Sequence, residues 1–554
     1  MSVFMCTGQS TFWIDMHINF RCIVHKRRAL IDEKFNRMIL DCSILLCFVG
    51  FTLGLVPKPS QHEISLQLYD LSEQLIINHN NSRCFILQEA IKRFMERFRD
   101  RQPPLLITQP QTVSGTITTI EIELAQNCDE LSEKMWPEHE MNERYSVYVK
   151  PQTVVIRAET VWGALHGLET TSQLFYRTKQ NLRIIQAQEV HDNARFGHRG
   201  FLIDTSRHFL PVETIFRFLD AMAMVKMNVL HWHIVDTQSF PYKSYTYPKL
   251  SDMGAYDPTA YVYTKIDVER ILEYARLRGI RVMPEFDTPG HAASWGLGYP
   301  KLLTECYKDG KPTGVYGPII PVRTYTYEFL IRLFEEVMNV FPDKLIHLGG
   351  DEVAFDCWQS NPEVLQFMDQ MGMGRNFSLL QAYYTEQVIK LVKRLPTNGR
   401  NVIPVVWQEV FENGFRSDKD TIVHVWKGDW PPMMKNITKA GFRVLFSSCW
   451  YLDLISYGID WPAYYDCDPT SFGGTPEEIA RVVGGEAALW GEHVDHTNLF
   501  SRAWPRGVAV AERLWSSGNF SSTEFRSRLD EVRCRMIRRG WEAEPGNGPG
   551  YCPP

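Results

Sequence analysis

Two adjacent carboxylates, Asp351 and Glu352, follow a glycine pair in the run His347-Leu348-Gly349-Gly350-Asp351-Glu352. Glycines ahead of the acids let backbone and ligand approach closely. An acidic pair ringed by tryptophan is a setting that raises a carboxyl pKa until the group can donate a proton near neutrality. Seven further apolar runs also finish on polar or aromatic side chains. They end at Arg207, Asp236, Glu285 with Asp287, Trp407, Trp426, Tyr451, and Trp490 with Glu492. Flat indoles to face a sugar ring, a planar guanidinium fork for vicinal hydroxyls and carboxylates for proton transfer point together to glycosidic bond cleavage. The bland alternative for the acids is a solvated pair at a loop start, and for any one tryptophan it is core packing.

Spacing narrows the mechanism. Ordinary retaining glycosidases set acid and nucleophile about 5 Å apart on opposite sides of the scissile bond. Sequence-adjacent carboxylates do not readily flank a sugar in that way. The substrate's own 2-acetamido oxygen could supply the nucleophile, with Asp351 holding the acetamide and Glu352 protonating the leaving oxygen.

These groups need a frame that brings eight strand ends together. Near-continuous apolar strands read as a parallel sheet buried on both faces. Helical patterns at 214–227, 267–278, 327–341 and 379–395 lie between them. The fold expected is α/β, a (β/α)8 barrel with its chemistry at the C-terminal strand ends. Before it, alternating runs at 116–124, 144–150 and 153–158 and an apolar helical stripe through Val161, Ala164, Leu165, Leu168 and Phe175 read as a small α+β domain. The expected divisions are 1–60 as an N-terminal extension, 61–192 as the α+β domain and 193–554 as the barrel.

The chain has 554 residues, 44% hydrophobic and 22% charged, with a net charge of −6, so nothing electrostatic favours nucleic acid. Residues 43–56 form an uncharged apolar stretch that suits a secretory signal, with Thr52-Leu53-Gly54 as its cleavage site. Residues 1–42 precede it, so a signal anchor is the alternative. Eight of the twelve cysteines lie beyond this leader, an even number that suits bridges in an oxidising compartment. Sequons at Asn80, Asn376, Asn436 and Asn519 are candidate glycosylation sites.

Six motifs in order resemble the family 20 β-N-acetylhexosaminidases, and closely the lysosomal animal α and β subunits. They are H-R-G-F-L-I-D-T-S-R-H at 198–208, H-W-H-I-V-D at 231–236, E-F-D-T-P-G-H at 285–291, H-L-G-G-D-E-V at 347–353, V-V-W-Q-E-V-F at 405–411 and W-G-E at 490–492. The resemblance covers roughly residues 62–552 and implies exo-acting, retaining, substrate-assisted removal of terminal GlcNAc or GalNAc with no cofactor or metal. It implies Glu352 as general acid and base, Asp351 as the acetamide-orienting carboxylate and Tyr451 as donor to the acetamide oxygen. Arg207, Asp236, Asp453 and Glu492 resemble sugar-hydroxyl contacts. Trp407, Trp426 and Trp490 resemble the pocket walls, and His291 a supporting histidine near the acid. The same likeness implies bridges Cys84–Cys128, Cys306–Cys357 and Cys534–Cys552, and leaves a Cys449–Cys467 bridge open. It also implies glycan substrates, a homodimer, and a lysosomal or secreted location.

Two departures concern specificity. Asp453-Leu454 is the β-like pair where the mammalian α subunit has Asn-Arg, which disfavours 6-sulfated sugars. The segment 306–321 keeps an α-like length, leaving ganglioside processing with an activator protein undecided.

Two rival readings stand beside this one. A metal-dependent hydrolase could use His231, His233, His291 and Asp351, but strand parity counted from Asp236 turns His231 and His233 toward the helices. A non-catalytic glycan-binding protein would keep the pocket without needing the intact acidic pair.

Overall fold

The computed structural model describes residues 54–99, 112–131, 133–178, 182–397, 399–518 and 520–552. Residues 1–53, which include most of the apolar stretch 43–56, and the sequon at Asn519 lie outside them.

A six-stranded sheet comes first, from β1 (Gln61–His79), β2 (Thr116–Leu124), β3 (Tyr145–Lys150), β4 (Thr153–Ala158), β5 (Phe175–Arg177) and β6 (Arg183–Asp192), in the order β1-β2-β4-β3-β6-β5. β1 pairs along its first half with β6, antiparallel, and along its second half with β2, parallel. Helices α1 (Phe85–Arg99) and α2 (Val161–Leu174) complete this layer. Thr160 caps α2 by accepting from the Gly163 amide. Nearly every residue of α2 is buried, because the sheet lies against one side and barrel helices against the other.

The barrel follows: β7 (His198–Asp204), β8 (Val229–Val235), β9 (Arg281–Phe286), then a hairpin of β10 (Leu303–Lys308) and β11 (Lys311–Ile319) outside it, then β12 (Leu345–His347), β13 (Ile403–Trp407), β14 (Ile422–Val425), β15 (Arg443–Phe446) and β16 (Val482–Leu489). The barrel strands are parallel and close in the order β12-β13-β14-β15-β16-β7-β8-β9. The helices between them include Val212–Met224, Lys265–Arg276, Thr324–Val340 and Phe377–Arg394, each beginning two or three residues before the apolar pattern, because the first turn of a helix need not carry the buried stripe. Thr264 and Asp267 form a reciprocal capping box on the second of these, and Asn376 caps the last.

Alternate residues climb the barrel interior in layers. The lowest holds Val229, Met283, Leu345, Val405, Ile422 and Leu445. Two positions on lie His231, Glu285, His347 and His424, with Glu486 from β16, and above them Trp407 and Trp490 pack with Leu202 and Ala488. Gly200 leaves room for Glu486, whose Cγ would lie 2.4 Å from any Cβ there. His231 and His233 therefore point into the barrel, contrary to the parity count from Asp236. The β8–β9 register shifts between His233 and Val235, so the alternation cannot be carried across that point.

Among the described residues there are four disulfides: Cys84–Cys128, Cys306–Cys357, Cys449–Cys467 and Cys534–Cys552. No helix among the described residues is long and apolar enough to cross a membrane.

Ion pairs fasten the first sheet to the barrel. Arg199 on β7, fully buried, holds both oxygens of Glu143 at 2.6 and 2.9 Å. Lys226 bonds Asp192 at 3.0 Å, and Trp515 donates to the same carboxylate at 2.9 Å. Arg199→Met would strand Glu143 as a buried charge, so thermal or urea unfolding should show a loss of about 3–5 kcal/mol.

Candidate active site

The acidic pair follows β12 on a turn that only particular backbones can make. Gly349 and Gly350 have φ of +68° and +101°, and a Cβ on Gly349 would fall 1.7 Å from Asp287 Oδ1. Glu352 itself sits at φ +45° and His291 at φ +51°, left-handed conformations that cost a non-glycine residue about 1–3 kcal/mol and cluster at functional sites. Surrounding contacts hold the turn. The Gly350 amide donates to Asp287 Oδ1 at 2.8 Å, and Gln381 donates to the Gly350 carbonyl at 2.7 Å.

Asp351 is buried, while the Glu352 side chain is 58% exposed and reaches the mouth. Asp351 Oδ1 is buried with no hydrogen-bond partner among the described residues, as is Asp453 Oδ1. A buried acceptor without a protein partner calls for an occupant, whether water, an ion or a ligand. Burial, then the charge of Asp351, push the Asp287 carboxyl well above its ordinary range. Two carboxyls that share a dry site disfavour each other's charge, and here Asp287 is the one held up.

Indoles wall the mouth. Trp407 and Trp490 have centroids 6.0 Å apart, Trp407 and Trp426 6.3 Å, and Trp426 stacks on Tyr451 at 5.8 Å. Trp407 donates to Glu285 at 2.8 Å and Trp426 to Glu409 at 3.0 Å, so each ring is fixed by a buried carboxylate. Lys427 also pairs with Glu409. Burial holds the Tyr451 phenol well above its ordinary pKa, so it remains a hydrogen donor.

Arg207 occupies the opposite rim, its guanidinium 5.1 Å over the Trp490 ring. It bonds Asp204 at 2.9 Å, contacts Asp236 at 2.9 Å and lies 3.8 Å from Glu492. The ion pair with Asp204 leaves the Arg207 side chain 10% exposed at the rim. Asp236 is fully buried and bonded to His233 at 2.8 Å and His291 at 3.1 Å, so it lies under the site floor as a positioning group. His291 Nε2 then stands 3.8 Å from Asp351 and 3.7 Å from Glu352. Asp453, after β15, has its pKa raised to about 6 by burial, with the Glu492 charge adding to it.

Beneath these lies a dry network. Glu285 accepts from His233 at 2.7 Å and lies 3.0 Å from His231 and 3.1 Å from His347. Glu486 bonds His231 at 2.7 Å and His198 at 2.5 Å. Burial alone would lower the pKa of every histidine here, but the facing carboxylates outweigh it at His231, raised to about 9, and His233, raised to about 10. Burial wins at His198, His347 and His424, which are lowered. Two imidazolium ions thus balance two carboxylates. The donor atoms of His231, Glu285 and His347, of His231, His424 and Glu486, and of Asp287, His291 and Asp351 lie within 4.8 Å in each set, the spacing a metal ion would need. In the first two sets a bound ion would have to displace the His–Glu hydrogen bonds.

The sequence placed Glu285 and Asp287 among the strand-end pocket residues without individual roles, and it gave Glu409 and Glu486 none. The signal was present as charged residues two positions apart on apolar strands, which have no reason to be there unless they face a shared interior. One prediction follows from His291. Burial lowers its pKa, but Asp236, Asp287 and Asp351 more than offset this and raise it to about 10. The ring is therefore cationic through neutral pH. Asp236→Asn should bring that value down by about 1–3 pH units, so the proton leaves at lower pH, visible by NMR titration of the labelled ring.

Known proteins resemble this chain over most of its length. The sequence profile of "Glycosyl hydrolase family 20, catalytic domain" matches residues 196–518, and that of "beta-acetyl hexosaminidase like" matches residues 55–174. The β-hexosaminidase subunit beta of Felis catus is 47% identical over 90% of this chain and 94% of its own. The subunit alpha of Bos taurus is 44% identical over 93% and 98%. Among solved structures, the chitobiase of Flavobacterium johnsoniae superposes with a TM-score of 0.76 at 30% identity, over 88% of this chain and 73% of that one. With its closed barrel, its paired carboxylates and these relatives, the chain belongs to glycosyl hydrolase family 20.

Proposed function

We propose that the chain is an exo-acting, retaining β-N-acetylhexosaminidase that removes terminal GlcNAc or GalNAc by substrate-assisted catalysis. The observation that carries this reading is the buried Asp351 oxygen without a partner, beside the Trp407–Trp426–Tyr451 wall and next to an outward-facing Glu352. An acetamido group satisfies that oxygen with its N–H. The Tyr451 hydroxyl donates to the acetamide oxygen, and the indoles enclose its methyl.

In the first step the acetamide oxygen attacks the anomeric carbon as Glu352 donates its proton to the glycosidic oxygen. The C1–O bond breaks, the aglycone leaves as an alcohol, and an oxazolinium ion forms over the Asp351 carboxylate. In the second, ionised Glu352 takes a proton from water, the oxygen adds to C1 from the aglycone side, and the ring opens with retained configuration. Arg207, Asp453 and Glu492 hold the sugar hydroxyls. Asp236, through Arg207 and His291, keeps both ends of the site in register.

Partner and location are part of the same proposal. Leu454, Ile455, Tyr457 and Ile459 form an exposed apolar run beside Asp453, a surface that a second copy of the chain would cover. Asn80, Asn376 and Asn436 are exposed, as glycan attachment requires. A lysosomal or secreted enzyme suits these features and the four disulfides.

Glu352→Gln should lower kcat on a nitrophenyl N-acetylglucosaminide by about 10²–10⁴-fold with the fold intact by circular dichroism. Asp351→Asn should weaken inhibition by a thiazoline that mimics the cyclised intermediate; unchanged inhibition would refute the substrate-assisted scheme. Asp453 sets a pH dependence of specificity. Its raised pKa means that it is ionised above about 6 and neutral below. The preference for neutral over 6-sulfated GlcNAc should therefore shrink as pH falls through that value, read as the ratio of kcat/KM for the two substrates.

A further inference from the structure

A second cluster of ionisable groups lies away from the active site, in a cleft between the first sheet's helices and the barrel. Its walls carry Arg93 and Arg97 from α1, Leu168 and Glu169 from α2, Asp220 from the helix Val212–Met224, and Arg278. Arg93 and Arg97 are four residues apart and so share one helix face.

The carboxylates here are already spoken for. Asp220 accepts from Arg278 at 2.7 Å and from Tyr274 at 2.8 Å. Glu169 is shared between Arg97 and Arg539, each at 2.8 Å. Arg93 has no carboxylate partner among the described residues, and its one hydrogen bond runs to the Leu277 carbonyl at 2.7 Å. Four guanidinium groups thus face two carboxylates. Burial, reinforced by the charges of Arg278 and Arg97, lowers the Arg93 pKa to about 10, as expected where positive charge is in excess. The cleft holds about 40 Å³ for water-sized occupants. At roughly 10–15 Å³ per water this is room for three or four waters, or for one small oxyanion.

We propose that this cleft binds a small tetrahedral oxyanion, inorganic phosphate or sulfate, held by Arg93, Arg97 and Arg278 where the two domains meet. Planar guanidinium groups suit such an ion because each can offer two parallel N–H donors to adjacent oxygens. The arginines come from both layers, so a bound ion ties them together and favours the folded state. Half-buried Arg93 and Arg97 leave the cleft open to exchange with solvent.

The test is the melting temperature of the full chain at fixed ionic strength, with phosphate or sulfate substituted for chloride. Either oxyanion should raise Tm saturably by about 2 °C. Arg93→Leu should abolish that dependence while leaving kcat on the nitrophenyl substrate unchanged. Equal responses of wild type and variant, or chloride acting as well as phosphate, would overturn the proposal. Wild-type crystals soaked in selenate decide the matter if the variant does not fold: an anomalous peak among the three arginines supports the site, and a cleft holding only water refutes it.

Discussion

Glu285 sits deep inside the barrel with no access to water, and its two oxygens organise most of what lies above them. One holds the Trp407 indole, and the other takes the His233 imidazole, which in turn bonds Asp236. Asp236 divides its charge between Arg207 on one rim and His291 beneath the acidic pair on the other. A carboxylate in such a place is tolerable only when cations and donors surround it, and removing one partner leaves a charge that nothing can solvate. That penalty makes the network stiff, and stiffness there fixes a wall, a guanidinium and a histidine relative to one another.

The barrel interior makes this possible because side chains two apart on each strand stack vertically. On β9 the sequence Met283, Glu285, Asp287 passes from apolar packing through the charged layer to the carboxyl below the acids. On β14, Ile422, His424 and Trp426 do the same from core to wall. Structural and chemical residues therefore belong to one column on each strand, and the left-handed turns at Glu352 and His291 are anchored from below.

Much of this was legible in the sequence. Long apolar strands ending in reactive residues revealed the barrel, and Gly349-Gly350 marked the turn that presents Asp351 and Glu352. The walls were legible because tryptophan at several strand ends has a common destination in a closed sheet. The charged layer was read wrongly at His231 and His233, because alternation was counted back across an irregular register that local sequence does not mark. Asp236 was expected to contact the sugar by resemblance; its full burial and its bonds to His233 and His291 are features that the strand-end position did not reveal. Sequence reports which residues end a strand, but not which of their neighbours will reach them first.

The Cys449–Cys467 disulfide closes the loop that carries Tyr451 and Asp453. Two of the groups proposed to meet the sugar are thus held by a covalent clasp as well as by pairing to β16. Chain made in a reducing bacterial cytosol would hold that loop only through the bonds of Trp450 and Leu452 to Ala488 and of Arg506 to Leu452, so oxidised and reduced material should be compared before an affinity is assigned.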